Sequence, residues 1–201
     1  SLTIKDIKVD GGITISEDLV RYKAEEKLTG AYLRLIPRRF AYFYPEQEIF
    51  ANVSSVERIK DVRVEKVSNQ EIKISFNEYL PDSLWCSLGE DKKCYFFDEN
   101  GFSFALAPTL SGESMVRYYS SENVAELGKT PFSESDYATT KEFIRLLSGI
   151  GWYITKVEIN SARDVFYSLS QGSELKATLN EEVAKTFSNL ETILGSKEFG
   201  H

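Results

Sequence analysis

Apolar and polar residues alternate most cleanly over two short runs before residue 80. Val62 and Val64 alternate with Asp61, Arg63 and Glu65, and Ile72, Ile74 and Phe76 alternate with Lys73, Ser75 and Asn77. Side chains along a strand face opposite sides in turn, so each run predicts a strand with one wet face. Ser68-Asn69 turns the chain between them. Further back, residues 3–9 read as a strand ended by Asp10-Gly11-Gly12. The period then becomes helical. Leu19, Val20, Ala24 and Leu28 share one stripe, with Ser16 placed to cap, Glu17 and Asp18 in the first turn, and Gly30 as the stop. A linking segment, AYLRLIPRRFAYFY, leads to a second helix at about Glu46–Ser55, with Pro45 in its first turn. The predicted order over residues 1–79 is β-α-α-β-β, and Tyr79-Leu80-Pro81 marks a domain boundary.

The stretch LPDSLWCSLGEDKKCYFFDENGFSFALAP, Leu80–Pro108, predicts three antiparallel strands at Ser83–Leu88, Lys93–Asp98 and Phe102–Leu106. Asn100-Gly101 is the signature of a two-residue type I′ turn, which needs positive φ at both central positions. Such a turn pairs Glu99 with Phe102, and hence Phe97 with Phe104. The other turn, around Gly89-Glu90-Asp91, sets Cys86 across from Cys94 and Trp85 across from Tyr95. Trp85, Tyr95, Phe97, Phe102 and Phe104 then fall on one face, the expected core of the second half.

Beyond it, Met115–Tyr119 reads as a strand. Ser133 starts a helix that buries Thr140, Phe143, Ile144 and Leu147 and ends at Gly149. Strands follow at Tyr153–Ile159, Val165–Leu169 and Leu175–Thr178. A last helix at Glu181–Leu194 carries Val183, Phe187, Leu190 and Leu194 on one face. The whole is an α+β protein, with a mostly antiparallel second domain over 80–201 that holds two helices.

The 201 residues carry a formal charge of −7, which argues against a phosphate-neutralising surface and hence against nucleic acid. Aromatic residues make up 13%, in keeping with a strand-rich chain. Arg34, Arg38 and Arg39 form a short basic patch, read as a solvated loop, with contact to lipid headgroups as the alternative. No apolar run reaches membrane-span length and no signal peptide is visible. Cys86 and Cys94, opposed in the expected register, predict a disulfide and so an oxidising compartment. The alternatives are two reduced core thiols or half of a metal site.

Reaction chemistry is sparse. The single histidine is His201, which leaves no Ser-His-Asp or Cys-His arrangement. Phosphate, dinucleotide, zinc-protease and nucleophile-elbow motifs are missing. Asp98-Glu99-Asn100-Gly101 resembles a calcium loop only briefly, because its glycine comes too early and no glutamate follows at the right distance. The acidic pairs Glu17/Asp18, Glu25/Glu26 and Glu181/Glu182 read as wet helix faces. The sequence therefore predicts no catalytic residue, no metal ligands, no cofactor and no small-molecule substrate.

The segment IKDIKVDGGITISEDLV resembles the opening of a POTRA domain. VERIKDVRVEKVSNQEIKISFNEYLPDSLWC resembles the run that follows in the FtsQ/DivIB bacterial cell-division family, matched at Ile59, Val62, Val64, Lys66, Ile72, Ile74, Phe76, Glu78, Pro81 and Trp85. CYFFDENGFSFALAP is similar to its next segment at Tyr95, Asp98, Gly101 and Phe104. Asn77 and Tyr79 depart from the family's usual residues, the segment AYLRLIPRRFAYFYPEQ is longer than its linker, and the cysteine pair is not general in it.

The resemblance implies a POTRA domain over 1–79 and an FtsQ-type β domain over 80–201. It implies a single-pass protein of the plasma membrane, its anchor helix outside these residues and this region on the extracytoplasmic side. The implied role is a non-catalytic divisome scaffold that docks other division proteins, of the FtsB/FtsL type, at the septum. The family's terminal strands would follow Leu194. The expected contact is strand addition at the end of the second sheet, involving Leu175, Ala177, Glu181, Lys185 and Glu191. Lys176 is expected to make Leu175–Thr178 resist pairing on its own. The alternative is a POTRA-bearing component of outer-membrane assembly or secretion that binds polypeptides by β-augmentation.

Overall fold

The computed structural model describes residues 2–89, 93–110, 112, 114–179, 185 and 189. It is an α+β chain that divides into two compact units, Ser1–Tyr79 and Leu80–His201.

The first unit runs β1 (Asp6–Asp10), α1 (Glu17–Leu28), β2 (Ala31–Tyr32), β3 (Ile36–Pro37), α2 (Glu46–Ser54), β4 (Ile59–Lys66) and β5 (Glu71–Glu78). Its three-stranded sheet has the order β1-β5-β4, with β5 parallel to β1 and antiparallel to β4. A tight hairpin joins β4 to β5, whereas reaching a parallel neighbour needs a long crossover, here the two helices. Alternation along β5 buries Ile72, Ile74 and Phe76, and Val62 and Val64 of β4 pack against the same core as Val20, Ala24, Leu28, Ile49 and Val53 of the helices. Ser16 caps α1 by accepting from the Leu19 N–H. Leu19, expected on the buried stripe, lies instead at its margin and is exposed, since Val20, Ala24 and Leu28 suffice to face this small sheet. The linking segment holds a short hairpin, β2–β3, that periodicity does not reveal.

Glu78, at the end of β5, closes the unit. Its carboxylate accepts the backbone N–H groups of Ile13, Thr14 and Ile15 at 2.6, 2.9 and 2.7 Å and the Thr14 hydroxyl at 2.8 Å. The loop after β1 reaches this position by passing over Phe76. A Cβ on Gly11 would lie 2.1 Å from the Phe76 carbonyl oxygen, so the close approach requires glycine.

The second unit contains β6 (Ser83–Cys86), β7 (Cys94–Phe97), β8 (Ser103–Leu106), β9 (Arg117–Ser120), α3 (Glu134–Gly149), β10 (Ile154–Ile159), β11 (Asp164–Leu169) and β12 (Glu174–Thr178). The seven strands form one sheet in the order β12-β11-β10-β9-β6-β7-β8. β9 lies between β6 and β10 and is parallel to both. Trp85, Phe97, Tyr118, Val157, Val165 and Tyr167 from one face of the sheet pack on Tyr137, Phe143 and Leu147 of α3. Ser133 caps that helix by accepting from the Asp136 N–H. Tyr137 is fully buried, while Ile144, expected in the core, is half-buried.

Cys86 pairs with Cys94 and Trp85 with Tyr95, as the expected register requires. The Asn100-Gly101 turn differs. Gly101 alone has positive φ, +78°, and its N–H donates to the Asp98 carbonyl. The Asp98 carboxylate meanwhile accepts the N–H groups of Asn100 and Phe102, both at 2.9 Å. Asp98 thereby makes a three-residue loop, with a glycine in the left-handed region, of the two-residue turn expected. The register shifts by one, so Phe97 pairs with Ser103, and a bulge then restores Phe96 to Ala105. Phe104 leaves the Trp85 face and stacks on Phe96, ring centres 6.0 Å apart. The expected Phe97–Phe104 pair is thus replaced.

The predicted helix Glu181–Leu194, with Val183, Phe187, Leu190 and Leu194, lies outside the described residues, apart from Lys185 and Asn189, which are helical and exposed.

Candidate interaction edge

The two ends of the seven-stranded sheet differ. At β8, Gly128 N–H donates to the Ser103 carbonyl at 2.7 Å and Ser103 N–H donates to the Lys129 carbonyl at 2.9 Å. The Ser103 hydroxyl adds bonds to the Glu126 and Lys129 carbonyls. Together with the Phe104 bulge, this covers the Ser103 end of the edge.

At β12 the pairing with β11 runs Asp164↔Thr178, Val165↔Ala177, Phe166↔Lys176, Tyr167↔Leu175 and Ser168↔Glu174. Leu169 N–H donates to the Ser173 carbonyl and Leu179 N–H to the Arg163 carbonyl, which fixes the parity of the ladder. In an antiparallel pair, bonded and non-bonded residues alternate. The backbone groups of Leu175 and Ala177 therefore face β11, and those of Glu174, Lys176 and Thr178 face outward. Among the described residues no strand lies beyond β12.

This parity sets the backbone direction of two expected contact residues. Leu175 and Ala177 are spent inside the unit, their side chains packing on the core. The outward row belongs to the three residues between and beside them, which hydrophobic patterning does not single out. Lys185 is exposed, and Glu181 and Glu191 lie outside the described residues.

Asp164 ties β12 down from the face opposite the core. Its carboxylate meets the Lys176 ammonium at 2.7 Å and accepts the Thr178 hydroxyl at 2.9 Å. The Lys176 bond, then that of Thr178, hold the Asp164 carboxyl below its ordinary range. The Lys176 ammonium also lies 5.4 Å from the Phe166 ring centre.

Cys86 and Cys94 are joined in a disulfide across β6 and β7. They flank a shallow groove of about 840 Å³ bordered by Leu88, Leu106, Pro108, Lys93, Arg117 and Lys156. Two of its cations are occupied. Arg117 donates to the carbonyls of Leu110 and Gly112, and Lys156 pairs with Glu158 at 2.9 Å.

A second buried polar cluster, after that at Glu78, centres on Tyr137. Its hydroxyl shares a 2.8 Å hydrogen bond with Ser83 and donates to Asp82 at 3.0 Å, and Lys141 pairs with Asp82 at 2.9 Å. Burial above all, with the Asp82 charge, pushes the Tyr137 hydroxyl far above the usual phenol range. A group so placed stays protonated and ties α3 to the start of β6.

Among the described residues, no set of three or more His, Cys, Asp or Glu side chains is grouped to hold a metal ion. No helix among them is long and apolar enough to cross a membrane. No family model matches the chain, and no curated protein matches it.

Proposed function

We propose that this chain is a non-catalytic extracytoplasmic scaffold that docks partner polypeptides by strand addition at β12, in the manner of the FtsQ/DivIB division family. The observation that carries the proposal is the outward backbone row of Glu174, Lys176 and Thr178, beside which no strand lies among the described residues, at one end of a sheet whose other end is partly covered at Ser103. A row of unpaired N–H and C=O groups is a template for another strand.

The assignment of residues 1–79 as a POTRA domain draws support from the β-α-α-β-β order and from the sheet order β1-β5-β4 with parallel β1 and β5. The Cys86–Cys94 disulfide favours the oxidising side of a membrane. A scaffold is favoured over a polypeptide escort built of repeated modules because the second unit, with its seven-stranded sheet, does not repeat the first.

The test uses proline, which removes one backbone donor. At Lys176 the N–H faces outward, so Lys176→Pro leaves the β11 ladder intact while blocking an added strand. The partner is the FtsB/FtsL-type pair of the same organism. The expected result is binding by the unaltered chain and a loss of about tenfold or more in Lys176→Pro, the cost of one interfacial hydrogen bond and a steric block. Lys176→Ala, which loses the same exposed Asp164 ion pair but keeps the N–H, is the control: it should melt with Lys176→Pro and bind as the unaltered chain does. Equal affinity of the two chains would move docking away from β12, and no binding by the unaltered chain would refute this partner class. The resemblance places further strands after Leu194, and a chain carrying them, titrated alongside, shows whether they add to the same edge.

A further inference from the structure

The three arginines of the basic patch do different things. Arg38 donates to the Lys27 carbonyl at 2.8 Å, pairs with Glu48 at 2.5 Å and lies over the Tyr32 ring. Arg39 pairs with Glu25 and donates to the Ile4 carbonyl at 3.4 Å. Both clamp the base of the β2–β3 hairpin to its surroundings. Arg34 makes no such contact among the described residues and sits at the tip, between Leu33 and Leu35.

That tip is built at a cost. Tyr32 pairs with Ile36, and Leu35 N–H donates to the Tyr32 carbonyl at 2.9 Å, so the chain reverses at Leu33-Arg34. Their φ values are +48° and +62°, two successive non-glycine residues in the left-handed region, where Asn-Gly is the usual choice. Leu33 is 92% exposed and Leu35 83%. Strained backbone that holds large apolar side chains in water gives no return within the unit, and such strain collects at sites of function.

We propose that Leu33-Arg34-Leu35 is a membrane-contact tip that inserts its two leucines among the headgroups of an anionic phospholipid bilayer while Arg34 engages their phosphates. A bilayer suits the tip better than a protein does. Three residues fall far short of the roughly 800 Å² per partner that a stable protein interface buries, whereas a fluid interface accepts a small wedge. Arg34 gives the tip a cation for lipid phosphate, while the overall charge of −7 opposes approach to an anionic surface, so contact depends on the two leucines as well. The segment that follows the hairpin packs on the first described residues, because Thr3 bridges to Phe40 and Ala41 N–H donates to the Leu2 carbonyl. The proposal rests on the scaffold reading only for the presence of a membrane nearby, and its test supplies the membrane directly.

The experiment places a reporter at the tip of the 201-residue chain. Leu35→Trp is titrated with vesicles of equal parts phosphatidylcholine and phosphatidylglycerol, and its emission is compared with that of the unaltered chain. The expected result is a blue shift and quenching by lipids brominated on the acyl chains. Leu33→Asn, added to the reporter, should weaken partitioning about tenfold, as loss of one leucine's transfer implies. Arg34→Glu should remove the preference for phosphatidylglycerol over pure phosphatidylcholine. Emission unchanged by lipid overturns the proposal, as does a lipid-free dimer that Leu33→Asn dissociates. Partner binding measured without lipid, through Lys176→Pro, decides the scaffold reading separately.

Discussion

Replacing Glu78 with glutamine tests how the first unit is held together. The Glu78 side chain is 1% exposed and accepts three backbone N–H groups and one hydroxyl, with the Arg58 guanidinium 3.9 Å away. Burial by itself would raise its pKa. The bonds from Ile15, from the hydroxyl and N–H of Thr14, and from Ile13 outweigh burial and hold it at about 2, against an ordinary value of 4.5. A folded pKa below the unfolded one stabilises above the unfolded value, and the stabilisation is lost as pH falls through the folded value. The gap corresponds to about 3 kcal/mol at neutral pH, or about 2 kcal/mol once water at the rim of the site is allowed to screen it. The loss should fall between about pH 5 and pH 2. Glutamine keeps one acceptor oxygen and turns an NH₂ group toward donors, so Glu78→Gln should cost a similar amount at pH 7 and flatten this acid step. Because the chain has two compact units, one global free energy is a poor readout. Amide exchange at Ile13, Thr14 and Ile15, followed from pH 7 to pH 3 in both proteins, reads the site directly. Equal protection in the two proteins at pH 7, or the same acid slope in both, would refute the reasoning.

Two further outcomes are expected in the second unit. Reducing Cys86–Cys94, or replacing both with serine, should lower stability by about 2–3 kcal/mol by the loop-entropy relation; denaturation with and without reductant measures it, and thiol counting on the denatured oxidised protein should find no free cysteine. Gly101→Ala should cost about 2 kcal/mol, because φ is +78° there and a Cβ would lie 3.0 Å from the Tyr137 ring. Thermal melts monitored by near-ultraviolet dichroism should show it, and an unchanged melt would mean the loop can relax away from α3.

How much was legible beforehand depended on whether the deciding interaction was local. The alternation at Val62, Val64, Ile72, Ile74 and Phe76 is a local pattern, and it places those side chains toward one core. The capping residues Ser16 and Ser133 were equally readable, because the bond each makes lies three residues away. The side of the sheet taken by Phe104 was not. It turns on the competition between the Asp98 carboxylate and a two-residue turn, and on a bulge that undoes the shift. The insertion of β9 between β6 and β10 was beyond reach as well, since parallel neighbours distant in sequence leave no mark in the periodicity of either strand. At β12 the apolar positions Leu175 and Ala177 were found, yet the parity of the ladder was not. That parity follows from the turn between β11 and β12, where Gly172 adopts φ +90° and donates to the Leu169 carbonyl while the Leu169 N–H donates to the Ser173 carbonyl.

The same register also sets where the Lys176 side chain lies at the edge. A lysine on an edge strand guards it when its charge projects off the sheet, where an incoming strand would have to desolvate it. The Lys176 ammonium instead lies back over β11, paired with Asp164 and resting on Phe166. Its ammonium is paired on the face of the sheet, though the side chain stays more than half exposed, and its backbone N–H and C=O face outward with those of Glu174 and Thr178. A strand added beside β12 would meet a backbone row without having to bury an unpaired ammonium. At the other end, the chain uses Gly128 and Lys129 to cover the Ser103 backbone and a bulge to bend the strand. Among the described residues, one end of the sheet is thus covered at Ser103 by covalently linked sequence, while at the other the lysine that could have guarded it is paired with the aspartate that opens β11. Within the second unit, that asymmetry makes β12 the edge at which to look for a partner strand.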